Sequence, residues 1–204
     1  MQVENTFVDS SFLPIVLNFQ DVLEKMNDDE FEKFCRHNPD MEIELTKEGE
    51  LVIMPPTGGE TGIRNFSLIF EFGKWLEKHP NGVAFDSSTV FKLPNGAKRS
   101  PDLAWTKNER WNTLSAEEKK KFPPLCPDFV VELRSPSDSV KNLQSKMEEY
   151  IENGASLGWL IDPIERKIFI YRPDSETEVL ENPNSVSGEP LLKNFSLKMK
   201  KIWS

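Results

Sequence analysis

No stretch of this 204-residue chain approaches the run of about 18 apolar residues that a membrane-spanning helix needs. The opening segment, MQVENTFVDS, has neither a basic start nor an apolar core, which argues against an export signal and for a cytoplasmic protein. Cysteine is scarce: Cys35 and Cys126 lie far apart, in no metal-binding spacing, and free thiols are expected. A basic excess is missing too. Lys and Arg number 25 against 34 Asp and Glu, a net charge of −9. That balance speaks against tight, non-specific nucleic-acid binding without a metal ion. It leaves room for a local basic groove, because the field follows the distribution of charge and not its sum. There is no internal repeat, coiled coil or low-complexity tract.

Bulky side chains are well supplied. Fourteen Phe and five Trp give material for a core although hydrophobic residues make up only 37%. The length suits one domain spanning 1–204. Within it, residues 1–40 form a lead-in and a short helix, and 41–204 carry the core and its C-terminal strands.

The lead-in, 1–27, is interrupted by Pro14 and reads as irregular. DDEFEKFCRHNPD, from Asp28, has acidic residues at its start and Asn38-Pro39 at its end, the marks of a short helix. Residues 41–46 and 50–54 read as a hairpin across the turn 47–49. A helix follows over about 60–79. Ile63, Phe66, Ile69, Phe70, Gly73 and Leu76 share one broad face, which predicts burial of that face on a sheet. Short strands are expected at 83–86, 89–93 and 100–106. Residues 107–127, with a charged helical patch at 115–121 and three prolines, read as a surface excursion. A strand at 128–134, a helix at 139–153, an apolar strand at 157–162 and a partner at 167–172 complete the core. Strand-like pieces at 177–181 and 191–197 follow.

Three residues on these elements point to chemistry. Asp102 opens one strand, Glu132 lies within another, and Lys146 sits on the helix that follows. Two carboxylates brought together by neighbouring strands suit a hard divalent cation, since Mg²⁺ is commonly held by one or two carboxylates plus water and substrate oxygens. A lysine beside that ion orients the attacking water or offsets charge developing on a phosphate. Each residue has a plainer reading. Asp in a Pro-Asp pair is commonly a turn residue. Glu132, in a strand covered on both faces, is costly unless paired or metal-bound, and an ion pair with arginine would serve. Arg134 shares its face two residues on, and either pairs with Glu132 or contacts a phosphate. Glu60 completes a Thr57-x-x-Glu60 capping box or the acidic site. Gln144 is a phosphate or water contact, or a solvated helix residue. Asp128 is a second Pro-Asp, but about 13 Å separates it from Glu132 along an extended strand, so it is structural. His37 and His79 receive no chemistry, and the tryptophans are core.

The order of elements, with Pro101-Asp102 followed by Glu132-x-Arg134, resembles the PD-(D/E)xK signature of restriction-endonuclease-like nucleases. RSPDLAW (99–105), PDFVVELRSPSD (127–138), KMEEYIENGA (146–155), LGWLIDP (157–163) and PPTGGETGIRN (55–65) more specifically resemble the Uma2 family of endonucleases. The resemblance runs from about residue 40 to the C-terminus. It implies an α/β (α+β) fold with a restriction-endonuclease-like core, a mixed central β-sheet flanked by helices. It also implies a Mg²⁺- or Mn²⁺-dependent endonuclease with DNA as substrate. Asp102, Glu132 and the backbone carbonyl of Leu133 would hold the metal, with Glu60 completing the acidic site. Arg134 and Gln144 would contact substrate. The chain departs from the signature at position 134, where arginine stands for the usual lysine and cannot serve as a base. Lys146 borders the apolar stripe of Leu143, Met147, Tyr150 and Ile151, and is placed to supply that cation from the helix. The rival reading is a nuclease fold without catalysis, binding nucleic acid or protein; a hydrolase of smaller phosphorylated substrates is a third. Cutting both strands of a duplex needs two sites, which is compatible with a homodimer.

Overall fold

The computed structural model describes residues 14–18 and 27–204. In chain order its strands begin with β1 (Ile15–Asn18), β2 (Glu42–Leu45), β3 (Glu50–Met54), β4 (Gly82–Asp86), β5 (Phe91–Lys92), β6 (Lys98–Arg99) and β7 (Leu103–Lys107). They continue with β8 (Phe129–Leu133), β9 (Leu157–Asp162), β10 (Lys167–Tyr171), β11 (Glu178–Glu181), β12 (Ser185–Ser187) and β13 (Ser196–Lys198). The helices are α1 (Asp28–His37), α2 (Gly59–Lys78), α3 (Asn108–Trp111), α4 (Ala116–Lys120) and α5 (Val140–Glu152), and a 3₁₀ turn spans Met199–Lys201.

Beta8 and β9 pair in parallel at the centre of a six-stranded mixed sheet, in the order β11-β10-β9-β8-β7-β4. Both central strands are buried throughout, as their Phe-Val-Val and Leu-Gly-Trp-Leu-Ile runs require. Alternation then sorts their side chains. Phe129, Val131, Leu133, Trp159 and Ile161 join the side covered by Leu68, Phe72 and Trp75 of α2. Val130 and Leu160 face Met147 and Tyr150 of α5 on the other side. Gly158 is tied to this packing, because a Cβ there would stand 2.4 Å from the Met147 methyl. A smaller antiparallel sheet, β1-β3-β2-β6-β5, encloses Phe31 of α1 with Ile43, Leu45 and Leu51. This is the mixed α/β architecture expected, a central sheet flanked by helices.

Three local readings change. Ile15–Asn18 is a strand, exposed along its length and paired with β3 at the sheet edge, where the sequence read an irregular lead-in; the rest of the lead-in to residue 26 lies outside the described residues. Only Ser196–Lys198 of the 191–197 piece is a strand, and it pairs with Ser185–Ser187, which the sequence left unassigned. The largest change concerns α2. It turns Leu68, Phe72 and Trp75 to the core, while Ile63, Phe66, Ile69 and Phe70 are exposed. The helix is apolar on two sides, so periodicity found a face but not the buried one.

Candidate active site

The register Leu103↔Val131, continued by one residue beyond β7, sets Asp102 opposite Glu132. Asp102 Oδ2 accepts the Leu133 N–H at 2.7 Å, and Oδ1 accepts from Asn65 Nδ2 of α2 at 3.1 Å. Glu132 Oε1 lies 2.9 Å from Lys146 Nζ and accepts from Tyr150 Oη at 3.1 Å. Its other oxygen makes no hydrogen bond to a described residue. Asp102, Glu132, Lys146 and Leu133 are therefore brought together, with Lys146 reaching in from the rim of α5 as its position beside the apolar stripe suggested.

Lys146 is shared. Its amine also lies 2.8 Å from Glu44 Oε1 on β2, and Glu44 accepts the Ser100 N–H at 2.7 Å and pairs with Arg99 at 3.2 Å. Arg99 in turn meets Glu149 of α5 at 2.5 Å. Four carboxylates, Asp102, Glu132, Glu44 and Glu149, thus surround two fixed cations, Lys146 and Arg99. With all four ionised, the cluster is short of positive charge by two.

Burial dominates the titration behaviour, and at Glu132 the neighbouring carboxylates add to it. Burial pushes Asp102 up to about 6, against the opposing pull of the Leu133 N–H and of Lys146. Burial likewise pushes Glu132 up to about 8. Lys146 opposes this, while the charges of Asp102 and Glu44 add to it. Glu44 moves the other way: its burial is outweighed by Lys146 and Arg99, and its carboxyl is held below the ordinary glutamate value. Burial alone would lower Lys146, but Glu132 and Glu44 outweigh it and hold the ammonium firmly protonated. Tyr150 is raised by burial and by Glu132, so it donates to that carboxylate as a phenol.

A divalent cation fits this donor set. Among the described residues no three His, Cys, Asp or Glu side chains form a closed cage. Two carboxylates and neutral oxygens are nevertheless what Mg²⁺ or Mn²⁺ uses, and a dication would supply the missing charge. Asn65 Oδ1 is buried beside Asp102 with no hydrogen-bond partner among the described residues, an acceptor waiting for a donor, water or ion.

The remaining predicted residues lie apart from this cluster. Glu60 does not join it: its side chain is 84% exposed and pairs with Arg64 at 3.3 Å. It also forms no capping box, because the helix starts at Gly58 without a side-chain cap. Five residues separate it from Asn65, which turns it well round the helix from Asp102. Arg134 pairs with Asp162 at 2.8 Å and not with Glu132. Gln144 is half-buried on α5 with no hydrogen bond to a described residue. Asp128 is structural as expected, accepting the Lys107 N–H and pairing with Arg110.

Sequence reasoning missed Asn65, Glu44, Arg99 and Tyr150. Arg99, Asn65 and Tyr150 lie within the family-like blocks 99–105, 55–65 and 146–155, and Glu44 lies outside them; all four join the site through contacts distant in sequence or across elements. A cleft of about 560 Å³ opens against Lys146, Glu44 and Arg99, between β2–β3 and α5.

Comparison with known proteins agrees with this architecture. The chain matches the profile of a family described as "Putative restriction endonuclease", Uma2, over residues 28–200. Its structure is similar to that of "a putative nuclease belonging to DUF820" from Anabaena variabilis. The TM-score is 0.67 at 23% identity, over 79% of this chain and 89% of that one. That likeness is one of fold. No curated protein matches the chain.

Proposed function

The chain belongs to the Uma2 family, and on that premise we propose that the Asp102–Glu132–Lys146 cluster hydrolyses phosphodiester bonds of DNA as a divalent-cation-dependent endonuclease. The observation that carries this reading is the buried charge shortage beside an unpartnered Asn65 oxygen. Asp102, Glu132 and the Leu133 carbonyl would hold Mg²⁺ or Mn²⁺. The ion would supply Lewis acidity at the phosphate and a more acidic bound water.

The chain's own residues divide the remaining work. Lys146 keeps its proton in the grip of two carboxylates, so it acts as a fixed positive charge and not as a base. Its role is to offset charge gathering on the phosphate oxygens in the transition state. It takes the place of the PD-(D/E)xK lysine that Arg134 cannot fill. Glu44, anchored by Arg99 and the Ser100 N–H, holds the Lys146 amine at the position it occupies. Tyr150 and the Leu133 N–H orient the two carboxylates. Arg134, tethered to Asp162, and Gln144 remain proposed substrate contacts.

A second reading keeps the fold without catalysis. It is favoured by the cleft beside Lys146, where Glu48, Glu148 and Glu152 add negative charge that repels phosphate. Nicking of supercoiled plasmid separates the two. With Mg²⁺ or Mn²⁺ the native chain should nick, and chelation should stop it. Asp102→Asn and Lys146→Met should each lose on the order of 10²–10³-fold while keeping the native circular dichroism spectrum. Absence of nicking with either metal would favour the non-catalytic module.

A further inference from the structure

Helix α2 has a second face that the described chain leaves largely open, with the Lys201 amine, 5.9 Å from the Phe70 ring centroid, approaching one end of it. Ile63, Phe66, Ile69 and Phe70 are 65%, 70%, 37% and 49% exposed, and the two phenylalanine rings stack at 6.2 Å. Single exposed apolar residues are ordinary. Four on one helical stripe expose on the order of 400 Å², the size of the largest apolar patch on a typical soluble protein, which is often a functional one. Gly62 and Gly73 lie on the same stripe, since at 100° per residue they flank Phe66 and Phe70. Nothing else in the described chain comes within 4 Å of where a Cβ would stand at either position. A glycine inside a helix is destabilising relative to alanine, and here no internal packing accounts for it. Close approach of another helix does.

The charges at the two ends of the stripe choose the occupant. Glu60, with its side chain 84% exposed, stands at the N-terminal end. Lys74, 49% exposed, stands at the C-terminal end with its amine over the Phe70 ring and 2.5 Å from Glu71, a pair that an incoming Glu60 would share. An antiparallel second α2, turned about an axis near Ser67, sets each Glu60 against Lys74 of the other copy and brings the two phenylalanine pairs together. A parallel arrangement would set like charges against each other. Such self-complementarity is what an isologous two-fold contact requires. The apolar patch is about half of the roughly 800 Å² per partner of a standard interface, and the flanking charges and glycines extend it.

We propose that this face of α2 is a homodimer interface that takes a second copy of the chain across a two-fold axis near Ser67. The inference does not rest on the nuclease reading, although it would tie two sites together, because Asn65 of the same helix holds Asp102. Sedimentation equilibrium of the full chain tests it without any measure of cleavage. The native protein should sediment as two 23.5 kDa chains. Phe66→Glu, at an exposed position, should sediment as a monomer with unchanged thermal melting. Glu60→Lys should weaken association about tenfold through like-charge contact, and adding Lys74→Glu should restore it. A monomer at all concentrations up to about 100 µM would overturn the proposal and leave the face to residues 1–13 or to another protein. A dimer indifferent to Phe66→Glu, or a charge swap that fails to restore association, would overturn it as well.

Discussion

The two sides of the central sheet bury very different material. On the α2 side, Phe72, Trp75, Phe129, Trp159 and Phe195 meet ring to ring at centroid distances of 4.9–5.8 Å. On the α5 side, Met147 and Tyr150 share the interior with Lys146, Glu132, Glu149 and Glu44. Apolar burial stabilises wherever it occurs. Buried charge stabilises little and is disruptive when one partner is lost. The α2 side therefore holds the fold together, and the α5 side uses that stability to keep charged groups out of water and close together. Their borderline is the start of β7, where Asp102 accepts from Asn65 of α2 and from Leu133 of β8.

The comparison can be broken from either side. Phe72→Ala on the α2 side should cost about 3–5 kcal/mol in denaturant unfolding, at any pH, because it opens a cavity among fixed rings. Lys146→Met should cost about as much near neutral pH, roughly 3–5 kcal/mol, by leaving the buried, ionised Glu44 without its lysine partner. Its cost should shrink on acidification as the carboxyls take up protons, and unfolding curves at two pH values would separate the two variants.

Glu132→Gln should move the other way. Glu132 is raised to about 8 in the fold against an ordinary value of 4.5. The folded state thus favours its neutral form, and the associated stability is complete below pH 4.5 and lost as pH rises through 8. The metal-free native protein should lose stability over that window. The glutamine variant should lose less of it, and be the more stable of the two at pH 8 without metal. Smallest of all, Lys120→Ala should change stability by less than about 0.5 kcal/mol, since its pair with Glu117 on α4 is exposed on both sides.

Much of the fold could be read directly, because the sheet strands carry β-branched and aromatic runs with turn residues between them. Leu157–Asp162 and the 50–54 strand appear with the bounds expected from sequence. Orientation was harder. In α2 both Leu68-Phe72-Trp75 and Ile63-Phe66-Phe70 are apolar stripes, and only packing decides which is inside. Asp102 and Lys146 could be picked out as charged residues at the mouth or edge of apolar elements, and Glu132 as a carboxylate inside a buried strand. Glu44 could not. In the strand Glu42–Leu45 its alternation with Ile43 and Leu45 reads as a solvent-facing position, and it is inside only because Lys146 and Arg99 meet it there. Asn65 was hidden for a similar reason, as a neutral residue beside Arg64 and Phe66 whose value lies in reaching Asp102 across the fold.

The central claim is that the cluster lacks two positive charges, which protons or a dication can supply. Calorimetric titration of Mn²⁺ and Mg²⁺ into the native protein, in buffers of different ionisation enthalpy, measures both binding and the protons it displaces. Binding should release protons and strengthen as pH rises from 6 towards 8, the range over which Asp102 and Glu132 give theirs up. Glu132→Gln should abolish it. No binding at millimolar metal, or binding unchanged in that variant, would contradict the account.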